Sequence, residues 1–284
     1  MINAHTTVCC IIGDPVEHSL SPAMHNAAYA ESGLNFAYVA FRVTDVQAAV
    51  AGIRALGIRG ASVTIPHKLA VIPHLDRLDE VAEWIGSVNT IVNDGGVLTG
   101  MNTDGAGAVR ALQEAGVELE DKNILMIGSG GAARAVALTL AGRAKVMRVQ
   151  VLGVVEPEME KLTHDLRYKG HVDTGWARLD PKSLAGYIAT SDIVIHATPV
   201  GMSPSENETV VPKEMWRPSL PVMDIVYNPA ETRLLREARA AGCRVIPGFE
   251  MLLNQGALQF EAWTGKPAPV AVMRAALEKG LGRK

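Results

Sequence analysis

The chain has 284 residues, 48% of them hydrophobic, enough to bury a full core and better suited to two domains of ordinary size than to one large one. A net charge of −3 and an isoelectric point near 6.2 exclude the basic field a nucleic-acid backbone requires, so an anionic small molecule must find its cations locally. No apolar run nears the roughly 18 residues that span a bilayer, no secretory pattern opens the chain, and Cys9, Cys10 and Cys243 form no CxxC, so a soluble, cytoplasmic protein is expected.

In chain order, apolar runs of strand length alternate with segments of helical spacing. A strand is expected at VCCII, a helix near Ala23 to Ser32, a strand at NFAYVAFRV, a helix around Val46 to Leu56 and a strand at GASVTI. A helix near Glu80 to Ile85 and a turn-linked strand pair at NTIVND and GVLTGMNTD close a first unit near Asp104. A helix over Gly105 to Ala115 then opens a second cycle. It runs through the buried strand KNILMIG, a glycine turn, an alanine-rich helix, the strand RVQVLGVV, a helix from Pro157, and strands at SDIVIHAT, PVMDIVY and CRVI. The pattern is that of an α/β protein whose second unit is a doubly wound, Rossmann-type sheet. From Gly248 the spacing is helical, and these helices are expected to return to the first unit. The expected domains are therefore 1–104, 105–247 and 248–284.

The segment ILMIGSGGAARAVALTL sets Gly128, Gly130 and Ala133 at the G-x-G-x-x-G/A spacing, after a strand and before a helix. The first glycine suits a tight turn, the second admits backbone to a pyrophosphate, and the small third residue lets helix and strand pack closely. The helix N-terminus supplies free N–H groups to the anion. An acid for NAD ribose hydroxyls, or an arginine for the NADP 2′-phosphate, is expected at the end of the next strand. The first candidate there is Glu156, which serves equally as a first-turn acid of the following helix. Arg148 and Lys161 are less well placed.

Before the glycine turn lie three loops dense in hydroxyls and amides: GDPVEHSLSPAMHN at 13–26, SVTIPHK at 62–68, and SVNTIV with GMNTDGAG at 87–107. The motifs H-S-x-S-P-x-x-H-N, V-T-x-P-x-K, V-N-T, N-T-D-G and G-x-G-G-A stand in that order. ATPVGM, DIVYNP with Thr232, and GFEMLLNQGALQFEAWTG follow. In this the chain resembles the shikimate dehydrogenase family from Gly13 to about Gly265. The resemblance implies a substrate domain, a dinucleotide domain, and reversible hydride transfer between a nicotinamide dinucleotide and shikimate or 3-dehydroshikimate, a step of aromatic amino-acid biosynthesis.

On matched positions it implies substrate contacts at Ser19, Ser21, Thr64, Asn89, Tyr227 and Gln255, with Lys68 and Asp104 as the catalytic pair. Cofactor contacts are implied at Gly128, Ser129, Gly130, Gly131, Ala132, Thr198, Ile225 and Gly248, with Glu80 a further candidate. Chemistry agrees: reducing a ring ketone needs a proton for the oxygen, which Lys68 can deliver while Asp104 holds it. Ser19 and Ser21, two apart in an extended segment, would donate to a carboxylate, and Thr64, Asn89 and Gln255 would read hydroxyls. His18, His25 and His67 are read as orienting residues, with no metal implied. The chain departs from the family at Leu-Gly-Val-Val-Glu, where biosynthetic members carry Asn-Arg-Thr or Asn-Arg-Ser. That tilts the expected cofactor, NAD or NADP, toward NAD. An NAD-dependent quinate/shikimate dehydrogenase of catabolic type is one alternative. A regulatory or binding module of the same fold, without turnover, is another, and either a monomer or a homodimer is expected.

Overall fold

A computed structural model describes residues 2–282, which form two compact units. One comprises the residues up to Thr103 together with those from Leu253 onward; the other is Asp104–Leu252. The joins fall at 103/104 and 252/253, against the expected 104/105 and 247/248, because helices start or run through them. Asp104 already opens a helix, and the helix over Gly248–Thr264 carries the chain across the second join.

The first unit contains β1 (Thr7–Gly13), α1 (Ser21–Glu31), β2 (Phe36–Arg42), α2 (Val46–Ala55), β3 (Gly60–Val63), β4 (Arg77–Leu78), α3 (Glu80–Ile85), β5 (Thr90–Asp94) and β6 (Val97–Met101). Its six strands run in the order β2-β1-β3-β5-β6-β4. Strands β1, β2 and β3 are parallel, while β5 is antiparallel to both β3 and β6. The pairing of Ser62 with Thr90 and of Thr90 with Met101 places the ends of β3 and β6 beside the start of β5. Local rules set the helices. Asp45 accepts from the Ala48 N–H to cap α2, Asp79 accepts from the Ala82 N–H to cap α3, and Gly86 ends α3 in the left-handed region. Cys10, Ile12, Val63, Val88, Ile91 and Leu98 fill one side of the sheet.

The second unit contains α4 (Asp104–Glu114), β7 (Asn123–Ile127), α5 (Gly131–Arg143), β8 (Arg148–Gly153), α6 (Glu156–Tyr168), β9 (Asp173–Arg178), α7 (Pro181–Thr190), β10 (Ile193–His196), β11 (Pro221–Asp224), α8 (Arg233–Ala240) and β12 (Arg244–Ile246). The order β12-β11-β10-β7-β8-β9 is wholly parallel, and β7 lies between β10 and β8 where the winding reverses. Both faces of such a sheet are covered, which is why NILMI and IVIH are apolar runs without alternation. Ligands of open α/β sheets sit outside the strand ends at this reversal. Helices α9 (Gly248–Thr264) and α10 (Val270–Gly280) end the chain. Among the described residues no helix is long and apolar enough to cross a membrane.

Candidate active site

The glycine turn joins β7 to α5 at the reversal. Gly128 has φ +118°, and a Cβ there would lie 2.5 Å from the Ala197 carbonyl oxygen, so only glycine lets β7 turn against the end of β10. A Cβ on Gly130 would meet nothing within 4 Å, so the turn faces open space at its middle. Gly130 is also the N-cap of α5 and supplies no side-chain cap, leaving the first N–H groups of that helix for a ligand. Ala133, with no exposed surface, closes α5 onto the sheet. Gly131 and Ala132 are half-buried in the first turn. These features fit a dinucleotide pyrophosphate.

Thr198 follows β10 and is held by residues the sequence reading did not assign. The Asp224 carboxylate accepts from His196 Nδ1 at 2.9 Å and from Thr232 Oγ1 at 2.6 Å, and Thr198 Oγ1 lies against His196 Nε2. A carboxylate only accepts, so Nδ1 carries the proton that faces Asp224, and the Thr198 hydroxyl faces the other ring nitrogen. DIVYNP and Thr232 were visible as a motif, but the pairing is made by neighbouring parallel strands. Ile225 donates its N–H to the His196 carbonyl, and a Cβ on Gly248 would sit 2.5 Å from the carbonyl oxygens of both Ile225 and Val226. Tyr227, expected among the substrate residues, lies in this second unit after β11, its phenol pushed up by burial.

β8 ends at Gly153 and the chain goes on through Val154 and Val155, 69% and 44% exposed. Glu156 opens α6 as an exposed first-turn acid. Glu158, two residues on, is the acid at the glycine turn, accepting from Ser129 Oγ at 3.0 Å. Arg148 begins β8, at the end opposite the turn, and pairs with Asp173. It is therefore misplaced for a 2′-phosphate. Glu80 heads α3 in the first unit, exposed in an acidic first turn.

In the first unit the polar residues gather at one end of the sheet. Thr64 follows β3 and lies across Gly13 at the end of β1, where a Cβ would come 2.3 Å from Thr64 Cγ2. The half-buried Lys68 follows it, its carbonyl accepting from the Val88 N–H. Asn89 precedes β5. Its Oδ1 accepts from the Thr103 N–H at 2.9 Å, and its Nδ2 donates to Thr103 Oγ1 at 3.0 Å and to Gln255 Oε1 at 3.4 Å. Asn102 and Thr103 follow β6 and end this stretch of the first unit; Asp104, 5% exposed, is the first residue of α4 and belongs to the second.

Ser19 and Ser21 do not share an extended segment. Pro22 sits in the first turn of α1, so the helix starts at Ser21, two residues earlier than expected. Ser19 Oγ accepts from the Ser21 N–H at 3.3 Å. Ser21 is buried and Ser19 half-buried. The three histidines diverge. His18 is exposed and His67 Nε2 contacts the Val43 carbonyl at 2.7 Å. His25 is buried, stacked on Tyr38 at 4.5 Å, and burial pushes its pKa down to about 3, only partly offset by Gln259.

A bare glycine turn at the reversal of a doubly wound sheet marks a dinucleotide-binding protein, with hydroxyl, amide and lysine side chains gathered at one sheet end of the other unit. Known proteins narrow the class. Residues 11–91 match the shikimate dehydrogenase substrate binding domain, and residues 248–278 the shikimate 5′-dehydrogenase C-terminal domain. Shikimate dehydrogenase (NADP(+)) of Moorella thermoacetica is 47% identical over 99% of this chain and 96% of its own. A crystal structure of a shikimate dehydrogenase with NADP+ superposes with a TM-score of 0.93 at 42% identity, covering 99% of this chain and 98% of that one. The shikimate 5-dehydrogenase of Listeria monocytogenes, solved with shikimate and NAD, gives 0.90 at 41% identity over 97% and 98%. The chain belongs to the shikimate dehydrogenase family, and it is a nicotinamide-dependent oxidoreductase acting on a CH–OH group.

Proposed function

We propose that this chain interconverts shikimate and 3-dehydroshikimate with a nicotinamide dinucleotide, as the names of its relatives indicate for them. The observation that carries the reading is the gathering of Thr64, Lys68, Asn89 and Gln255 at one end of the first unit's sheet, the end from which the loop after β1 also leaves. Ser19 and Ser21 hold the substrate carboxylate, while Thr64, Asn89, Tyr227 and Gln255 read ring hydroxyls. The Lys68 ammonium gives a proton to the ketone oxygen in one direction and, as the amine, takes it from the alcohol in the other. Asp104 is its catalytic partner. Gly128 to Ala132, Thr198, Ile225 and Gly248 hold the dinucleotide, which supplies or accepts the hydride. A site built to pair hydroxyls rejects analogues lacking them by up to about 10⁴-fold.

The lean toward NAD taken from the sequence finds no support in the relatives, which are named for NADP(+). The cofactor is therefore proposed as a nicotinamide dinucleotide, with the choice between the two forms set at the turn formed by Ser129, Val154 and Glu158. Absorbance at the reduced-nicotinamide band decides the reading, with shikimate and quinate crossed against NADP and NAD. Turnover of shikimate with either dinucleotide is expected. Turnover of quinate alone would replace the substrate, and dinucleotide binding without turnover would leave a binding module.

A further inference from the structure

Beneath the proposed substrate end of the first unit's sheet runs a file of buried hydrogen bonds that all point the same way. Tyr38 Oη donates to Ser62 Oγ at 2.6 Å, Ser62 Oγ donates to Gln259 Oε1 at 2.8 Å, Gln259 Nε2 donates to Thr90 Oγ1 at 2.9 Å, and Thr90 Oγ1 donates to Asn89 Oδ1 at 2.7 Å. All five side chains are buried, so water does not compete for these groups.

Backbone groups dictate the direction, because a backbone N–H only donates and a carbonyl only accepts. The Thr103 N–H faces the Asn89 side chain at 2.9 Å, so the atom it meets is oxygen. The Asn89 carbonyl faces the Gln259 side chain at 3.2 Å, so the atom it meets is nitrogen. With Gln259 Nε2 donating to Thr90, the Thr90 proton goes on to Asn89 Oδ1. With Gln259 Oε1 turned the other way, Ser62 must donate to it and accept from Tyr38. The Thr103 N–H and the Thr90 hydroxyl thus both engage Asn89 Oδ1 at short range, with the Thr103 hydroxyl at 3.3 Å, and Nδ2 becomes the side of the amide turned toward Thr103 Oγ1 and Gln255 Oε1.

We propose that Thr90 and Gln259 are positioning residues: acting through Asn89, they set its amide so that the Nδ2 hydrogen aimed at Gln255 Oε1, a long contact of 3.4 Å, exchanges that partner for a hydroxyl oxygen of the substrate when substrate enters. The Thr103 N–H holds Oδ1 from one side and the file adds a second donor to the same atom, so removing the file weakens the preference of the amide for the orientation in which Nδ2 faces outward as a donor. The proposal rests on the reading that Asn89 touches the substrate.

Steady-state kinetics with varied shikimate test it. Thr90→Val keeps shape and removes the hydroxyl. It should raise the shikimate KM by about three- to tenfold, the worth of one ordinary hydrogen bond, and leave the dinucleotide KM unchanged. Thr90→Ser should restore the parent KM within about twofold, since the hydroxyl returns. In an Asn89→Ala background Thr90→Val should add nothing, because its effect passes through Asn89. Should Thr90→Val not fold, Gln259→Met, which removes both amide groups at similar volume, should show the same rise in shikimate KM. A parent-like shikimate KM in a folded Thr90→Val, or an equal loss on top of Asn89→Ala, overturns the relay while leaving the substrate assignment standing. A parent-like KM in Asn89→Ala itself overturns the assignment of Asn89 and the relay with it.

Discussion

Lys68 and Glu158 show how a single side chain is asked to act. Lys68 is the lysine of the three hydroxyl-rich loops, and the ketone oxygen needs a proton as hydride arrives at carbon. Lys68→Ala should lower kcat by about 10² to 10⁴, the usual worth of an acid–base group, with little change in shikimate KM. Turnover within a few-fold of the parent, measured at saturating dinucleotide, would remove it from the mechanism. Glu158 is tied to Ser129 of the glycine turn, where the 2′-phosphate of NADP would meet its charge. Glu158→Gln should therefore raise the ratio of kcat/KM for NADP over NAD about fivefold to tenfold, the effect of deleting one partly screened like charge. An unchanged ratio places the carboxylate away from the adenosine ribose. The motif spacing pointed to Glu156. Glu156 opens α6, and the third residue of that helix, Glu158, is the one hydrogen-bonded to the turn.

At the scale of elements, close approach decides where glycine is required. Gly105 lies in α4, and a Cβ there would come 1.9 Å from Thr139 Oγ1 and 2.6 Å from the Ala135 carbonyl oxygen of α5. Alanine favours a helix over glycine by about 1 kcal/mol, but overpacking against backbone costs about 1 to 3 kcal/mol or more. Gly105→Ala should therefore destabilise the protein in urea unfolding. Gly52, in α2 with nothing within 4 Å of its Cβ position, is the control, and Gly52→Ala should gain about 0.5 to 1 kcal/mol. Equal shifts for the two would show that α4 and α5 pack more loosely than the geometry says. Sequence reading located strands and helices with strong apolar periodicity within about three residues of their ends. It passed over β9, whose DTGWAR lies at the sheet edge with few buried positions, and α7 and α8, which are short and capped by Asp180 and Thr232. Edge strands and short helices owe their form to neighbours more than to local pattern.

For the molecule as a whole, acid stability should carry the mark of His25. Its folded pKa is depressed to about 3 by burial against Tyr38 and Trp263, below the ordinary value of 6.5. The neutral ring is favoured by folding, so its contribution is complete above pH 6.5 and is lost as pH falls from there toward 3. The slope is up to about 1.4 kcal/mol per pH unit, or roughly 2 kcal/mol by pH 5. Unfolding free energies measured at pH 7 and pH 5 should differ by that amount in the parent and by clearly less in His25→Gln. A slope that survives the substitution assigns the acid sensitivity to another group. The buried thiols should be inert in the native protein, since burial pushes Cys9 up to about 11 and Cys10 up to about 12.

The order of motifs along the chain was sufficient for the α/β class, the family, the glycine turn and the residues proposed for chemistry. Each of these is a local signal: a period of apolar residues, a glycine spacing, a hydroxyl-rich loop at a strand end. Tertiary structure alone decided which side chains support them. The file from Tyr38 through Ser62, Gln259 and Thr90 to Asn89 joins β2, β3, α9 and β5, and the set His196, Asp224 and Thr232 joins two strands and a helix cap. Such partners are far apart in sequence, and their pairing depends on strand order and register. No local pattern of residues encodes those, because they arise from the packing of the whole sheet.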